Sequence, residues 1–345
     1  MGSTERHLSD ARKSHQLISE ALIRWISGHQ PAAEHRVWFL ESAAHAGTIL
    51  DDFAEPGDVV FAPSGADPRA IGYDGSLAEP GDEIVIGDEI FVHTQDYLSI
   101  AYQAVAGPTV VRVTGPHDFE VFLEDAELAR REGVFAEQLV HPSVVLADQC
   151  ALGLPRASMT LDRVHVTETG EFRAGPSGPV IGSIDAPPRT WDSLDTHGKK
   201  ALATVLDATL TDEAHAARPW LARYLTTLDA LRSLRRGDTR SYRVSGFGGR
   251  LVDGLPLDLP EDATAPLLLW AEDRTLLYQL GDSRWFEVGK DAARLVELLS
   301  VSNGDVAAAA RRAVEHLGLT ADVATEALTG LTTRLTTPRT PVTTS

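Results

Sequence analysis

Residues 265–335 change their apolar period once, and that change is the tightest constraint the chain carries. Three short apolar runs come first: Leu267-Leu268-Leu269-Trp270, residues 275–280, and Arg284-Trp285-Phe286-Glu287-Val288. Turn residues separate them, Glu272-Asp273-Arg274 and then Gly281-Asp282. Beyond residue 290 the spacing becomes helical, with Ala292, Leu295, Val296 and Leu299 on one face. A second helix over 306–317 follows the capping sequence Ser302-Asn303-Gly304-Asp305 and stops at Gly318. Thr320 opens a third, whose stripe is Val323, Ala324, Ala327, Leu328, Leu331 and Leu335. Residues 259–337 are therefore expected to form three strands followed by three helices. The Thr/Pro-rich tail 338–345 has no apolar pattern and is expected to be disordered.

The fold class that follows is α+β, with a mixed α/β domain over 1–190 and a helical segment with linker over 191–258. Helical spacing marks 15–26, and Gly28 and Pro31 end it. Residues 37–40 and 59–61 read as strands around a small-residue helix at 43–53. Residues 83–86 and 89–92 flank Gly87-Asp88, a hairpin turn pair. Strands are expected over 97–105, 109–113 and 143–146, and a helix over 118–131. A hairpin is expected over 161–172, turning at Thr169-Gly170, with 174–188 as an extended loop. Two helices, 193–210 and 214–234, complete the region.

Charge narrows the partners. The chain has 31 basic and 50 acidic residues, a formal net charge of −19, and its lysines are Lys13, Lys199, Lys200 and Lys290 alone. A protein that grips a phosphate backbone needs clustered cations to release counterions, so nucleic acid is not an expected partner. No run has the length of a membrane span, and the polar start lacks a signal-peptide pattern. The single cysteine, Cys150, excludes an internal disulfide and fits a reducing, cytoplasmic setting.

At 265–335 the element order and residue texture resemble the PqqD-like winged helix-turn-helix domain. The matching features are an aromatic-bearing strand just before Lys290-Asp291-Ala292-Ala293-Arg294-Leu295-Val296-Glu297-Leu298-Leu299, then an alanine-rich helix closed by Leu317-Gly318-Leu319. In that family the module is a RiPP recognition element, which binds the leader of a ribosomally made precursor peptide for other enzymes to modify. Fused to a long N-terminal region, it is most similar to the recognition proteins of daptide biosynthesis. The resemblance implies a leader peptide and separate tailoring enzymes as partners, with no cofactor and no metal. It also implies a groove lined by Trp285, Phe286, Glu287 and Val288 of the third strand and by Ala324, Leu328 and Leu331 of the last helix. An exposed strand edge suits that role, because an extended peptide can pair with its free N–H and C=O groups. Leu328 and Leu331 also have the spacing of ordinary core residues.

No catalytic motif competes locally. There is no HExxH, paired CxxC or short His/Cys cluster, and Gly246-Phe247-Gly248-Gly249 lacks the residues of a P-loop or dinucleotide fingerprint. His93, His141 and His165 read as structural or surface residues, and Cys150 has no visible base. Two alternatives remain open. One is a modifying enzyme whose N-terminal domain assembles a nonlocal active site. The other is a DNA-binding regulator, although helix 323–335 carries only Arg334 as a base.

Overall fold

The computed structural model describes residues 2–28, 35–87, 90–153, 162–189, 200–238, 240–259, 261–280 and 284–336, with side chains over 15–334 of these. Readings at Asp88, Glu89, Leu161, 193–199, Gly281-Asp282 and 338–345, and the side chain of Leu335, lie outside them. Among the described residues the fold is α+β, with a ten-stranded and a four-stranded sheet. The chain divides into two compact units, one of residues 1–124 and 137–225, the other of 125–136 and 226–345. The sequence had suggested boundaries near 190 and 258.

The first unit begins with α1 (Gly2–Ser27), β1 (Val37–Leu40) and α2 (Ala46–Thr48), the last flanked by a 3₁₀ turn at Ala43–His45 and a wider turn at Ile49–Phe53. Then come β2 (Val59–Pro63), β3 (Ile71–Gly75), β4 (Glu83–Ile86), β5 (Ile90–Asp96) and β6 (Thr109–Arg112). After the first part of α3 (Pro116–Glu132) follow β7 (Val144–Leu146), β8 (Arg163–Val166), β9 (Glu171–Arg173) and β10 (Val180–Ser183). The strand order is β10-β9-β8-β1-β2-β3-β4-β5-β6-β7. Strands β8, β1, β2 and β3 run parallel, as do β5, β6 and β7, while β4 and β9 are antiparallel to their neighbours. Both faces of the central strands are covered, which is why β1 reads as an unbroken apolar run. Val37 and Phe39 join the core against α1, whereas Trp38 and Leu40 pack against Ala46 and Ile49.

The sheet curls around α1. Helix α1 touches β1, β7 and β8, although β7 lies at the far end of the strand order from β8. Asp148, just after β7, accepts a 2.6 Å hydrogen bond from Arg163 on β8, closing the curl with a buried ion pair. Arg163 also donates to the Trp25 and Ile26 carbonyls at 2.6 and 3.1 Å, satisfying the last turn of α1. The Asp148 and Gln149 N–H groups take the carbonyls of Ile26 and Ser27. Gly28 sits at φ +63, and a Cβ there would lie 2.6 Å from the Arg163 guanidinium, so only glycine ends the helix here. The Cys150 thiol donates to the Gly28 carbonyl at 2.6 Å, a structural contact rather than a nucleophile's setting.

Several expectations are corrected. The strand expected over 97–105 is a 3₁₀ turn at Ser99–Tyr102, because the Asp96 carboxylate captures the Ser99 N–H and hydroxyl at 2.7 and 2.6 Å. The expected loop at 174–188 contains β10, which adds to the hairpin through β9. Of the helix expected over 193–210, the described residues from Lys200 on become α-helical at Ala208, capped by Asp207 (α4, Ala208–Ala217). The helix expected over 214–234 is broken before Pro219 and resumes as α5 (Leu221–Arg235), since the residue before a proline leaves the helical region.

The second unit contains β11 (Arg243–Val244), β12 (Leu267–Trp270), β13 (Thr275–Gln279) and β14 (Arg284–Glu287), then α6 (Lys290–Ser300), α7 (Val306–Leu317) and α8 (Ala321–Thr336). Its sheet is antiparallel in sequence order, β11 being an additional strand that pairs with β12. Asp305 caps α7 through the Ala307 and Ala308 N–H groups, and Gly318 ends it at φ +67. Two buried acids organise the long loop before β12. Glu261 pairs with Arg250, and Glu297 of α6 accepts from the Ser245 hydroxyl and from the Leu251 and Val252 N–H groups.

Candidate functional site

Strand β14 has β13 on one side and no strand on the other among the described residues. Which of its groups are free follows from one bond. The Val288 N–H donates to the Thr275 carbonyl at 3.0 Å, and inward-bonded residues alternate along an antiparallel ladder. Phe286 and Arg284, opposite Leu277 and Gln279, therefore turn their main-chain groups toward β13. Trp285 and Glu287 turn theirs outward, so they are the residues that offer a free N–H and C=O.

The pleat splits the expected site residues between two faces. Phe286 and Val288 are half-buried and pack with Leu331 of α8 against the core formed by Leu268, Leu277, Ala293 and Val296. Trp285 and Glu287 face the other way. Ala324 and Leu328 are corrected as ligand contacts. Both are fully buried in the core between α6, α7 and α8, because the i, i+4 pair faces inward on α8 while Leu331 lies nearer the sheet. Among the described side chains, Trp285, Phe286, Val288, Ala327 and Leu331 are the half-buried apolar groups of the strand, the residue after it and the last helix.

On the opposite face a groove of about 750 Å³ is lined by Ser233, Asp238, Arg240, Arg274, Leu276 and Trp285, among others. The Trp285 ring lies 4.7 Å from that of Tyr278, its cross-strand partner, and its indole N–H donates to the Ser233 hydroxyl at 3.0 Å. Asp238 accepts from the Arg240 N–H at 3.0 Å, from the Tyr242 hydroxyl at 2.8 Å and from Arg274 at 3.2 Å. The Arg240 N–H foremost, then the Tyr242 hydroxyl and the Arg240 guanidinium, hold its carboxyl down to about 2. Arg274 also donates to Glu287 at 2.8 Å, which raises the guanidinium's pKa and ties Glu287 to the strand pair. Arg284 lies over the Phe286 ring at 5.1 Å.

Sequence reading found the strand but not this charged groove. Asp238, Arg240 and Arg274 come from a helix terminus, a loop and a turn, and only the fold brings them together. The groove can take a side chain with both polar and apolar surface, while the edge beside it can pair with an extended backbone. Among the described residues, no group of three or more His, Cys, Asp or Glu side chains is arranged to hold a metal ion, and no helix is long and apolar enough to cross a membrane. Comparison with family models, curated protein sequences and solved structures yields no match.

Proposed function

We propose that the second unit is a PqqD-like recognition module that binds the leader of a ribosomally made precursor peptide and presents it to separate modifying enzymes, in a pathway of the daptide kind. The observation that carries this reading is the outward-facing main chain of Trp285 and Glu287 on β14, flanked by a half-buried apolar strip and an aromatic-walled groove. An incoming strand would gain backbone hydrogen bonds along β14 and place alternate side chains on the two faces. One set would meet Phe286, Val288 and Leu331, the other Trp285 and Arg274. The order of elements, strands β12–β14 followed by helices α6–α8, supports the same reading. A phosphate-binding role has less support, because Arg334 is the only base within α8.

Fluorescence polarisation with a labelled leader peptide, taken from a short reading frame beside the gene, tests it. Saturable binding is expected for the full chain. Glu287→Pro removes an outward N–H without touching the ladder to β13, and is expected to weaken binding about tenfold or more. Trp285→Ala is expected to cost about 2 kcal/mol of binding free energy. Absence of peptide binding together with retained affinity for duplex DNA would sink the proposal.

A further inference from the structure

Strands β8, β1, β2 and β3 run parallel, so their carboxyl ends share one edge of the sheet. At that edge the chain leaves β1 toward β2 and leaves β8 toward β9, in opposite directions along the strand order. Loops that diverge in this way open a crevice between their strands, and open sheets with parallel strands characteristically bind ligands there. Glu41 is the first residue after β1, while His165 lies near the end of β8 and Glu168 just beyond it.

A cavity of about 300 Å³ occupies this position, lined by Trp25, Phe39, Glu41, Tyr73, His165 and Glu168 together with neighbouring loop residues. Its aromatic wall is built as a stack, Phe39 lying 4.3 Å from Trp25 and 4.6 Å from Tyr73 between ring centroids. The donors of the lining are largely spent within the chain. The Tyr73 hydroxyl donates to the Leu40 carbonyl at 2.7 Å, the Ser76 hydroxyl to Asp82, and His165 Nε2 to Glu41 at 2.9 Å. Burial depresses His165, so its ring is neutral and Nδ1 is an acceptor. That Nδ1 and the Trp25 Nε1 donor have no partner among the described residues. Both atoms are closed off from solvent, so the charge of an occupant is set by other groups.

Those groups are carboxylates. Glu41 accepts from His165 through one oxygen and from the Glu168 N–H, at 2.8 Å, through the other. An ionised carboxylate has about four lone-pair sites, so acceptor capacity remains. The His165 hydrogen bond foremost holds the Glu41 carboxyl below its ordinary range, which keeps it charged at neutral pH. Its side chain is 35% exposed, open enough for a ligand to reach. Glu168 adds a second, exposed carboxylate to the lining. Among the described residues no Lys or Arg lines the cavity. Arg173 acts on Glu41 through its field and is itself paired with Glu171 at 2.9 Å. A pocket with an aromatic wall, open carboxylates and no cation of its own is complementary to a cation with an apolar body.

We infer that this cavity binds a small organic ammonium with an aromatic or apolar body, its N–H groups on the Glu41 carboxylate and its body against the Trp25–Phe39–Tyr73 wall. Glu41 is then a binding residue, held in place by His165 and the Glu168 N–H. All of these residues belong to the first unit, so binding here does not depend on peptide recognition by the second.

Calorimetric titration of the full chain at neutral pH with benzylamine, benzyl alcohol and methylamine tests the assignment. Benzylamine is expected to bind at least about tenfold more tightly than benzyl alcohol, which lacks the charge, and than methylamine, which lacks the ring. Glu41→Gln keeps an acceptor for His165 and removes the charge. It is expected to bring benzylamine to within about threefold of benzyl alcohol. Glu168→Gln alters only an exposed side chain, leaves the fold intact, and is expected to weaken benzylamine about twofold without changing benzyl alcohol. Equal binding of benzylamine and either comparison ligand, no binding of benzylamine, or a preference for benzylamine that neither substitution reduces would overturn the inference.

Discussion

The two units treat buried polarity in opposite ways. In the second, the buried acids are satisfied from within: Glu297 by three donors, Glu261 by Arg250, which also donates to the Leu257 and Leu259 carbonyls. What that unit leaves unpaired is main chain, along the outer edge of β14. In the first unit the strand faces are covered and the polar surplus is internal, and it includes Arg112 Nε, Thr94 Oγ1, Trp25 Nε1 and His165 Nδ1. An unpaired edge is open to added backbone, whereas unpaired interior atoms are shut away from it. The contrast can be broken at specific residues.

The largest expected effect comes from the first unit's satisfied pair. Asp148→Ala leaves Arg163 buried with two carbonyls but no counter-charge, and the pair is 3% exposed on each side. Removing one partner of such a pair costs about 3–5 kcal/mol, read as a loss of stability in urea unfolding. A change below about 1 kcal/mol would mean that the curl of the sheet does not depend on this closure.

Next is Glu297→Gln in the second unit. The carboxylate accepts from the Ser245 hydroxyl and the Leu251 N–H through one oxygen and from the Val252 N–H through the other. An amide keeps one acceptor and turns a donor toward a donor, at a cost of about 1–3 kcal/mol by the same measurement. Burial pushes the Glu297 carboxyl up while these donors pull it back. A neutral effect would place the organisation of the loop before β12 elsewhere than in this acid.

Much of the second unit was legible because its signals are local. Asp305 and Gly318 bracket α7, and the stripe of α8 predicts a buried face. That the stripe's Ala324 and Leu328 are core while Leu331 reaches the sheet depends on three helices packing together, which spacing alone does not reveal. In the first unit, apolar runs exposed β1, β6 and β7, but β3 contains two glycines and an aspartate, and β10 has a glycine and a serine in four residues. Such strands are defined by their neighbours in the sheet rather than by their own pattern. The cavity walled by Trp25, Phe39, Tyr73 and His165 draws on one helix and three strands, and His165 alone in sequence carries nothing to separate it from His93, which pairs at the surface with Glu83.

A smaller effect separates the two faces of β14. Phe286→Pro deletes a ladder bond to β13 and is expected to cost more than about 1 kcal/mol, whereas Glu287→Pro deletes an outward N–H and an exposed ion pair with Arg274 and is expected to cost less than about 1 kcal/mol. Thermal unfolding measures both. Equal destabilisation would show that the outward assignment of Trp285 and Glu287 is wrong, and with it the free-edge half of the comparison.

The smallest effect is a slope with pH, and it tests whether the first unit's interior holds its histidine neutral. His165 is depressed below its ordinary 6.5, chiefly by burial, although Glu41 pulls the other way. Between 6.5 and the folded value, the unfolded chain carries the proton and the folded chain does not. Stability is therefore full above pH 6.5 and declines as the pH falls through that window, by at most about 1.4 kcal/mol per pH unit for one group. The Glu41 carboxyl, lowered mainly by the His165 hydrogen bond, adds stability that is lost only at lower pH, below its ordinary 4.5. His165→Gln keeps a donor for Glu41 and cannot titrate, so urea midpoints measured from pH 7.5 to 5 should flatten relative to wild type. An unchanged slope would mean that His165 charges as freely folded as unfolded, and the interior of the first unit would then be no drier than the edge of the second.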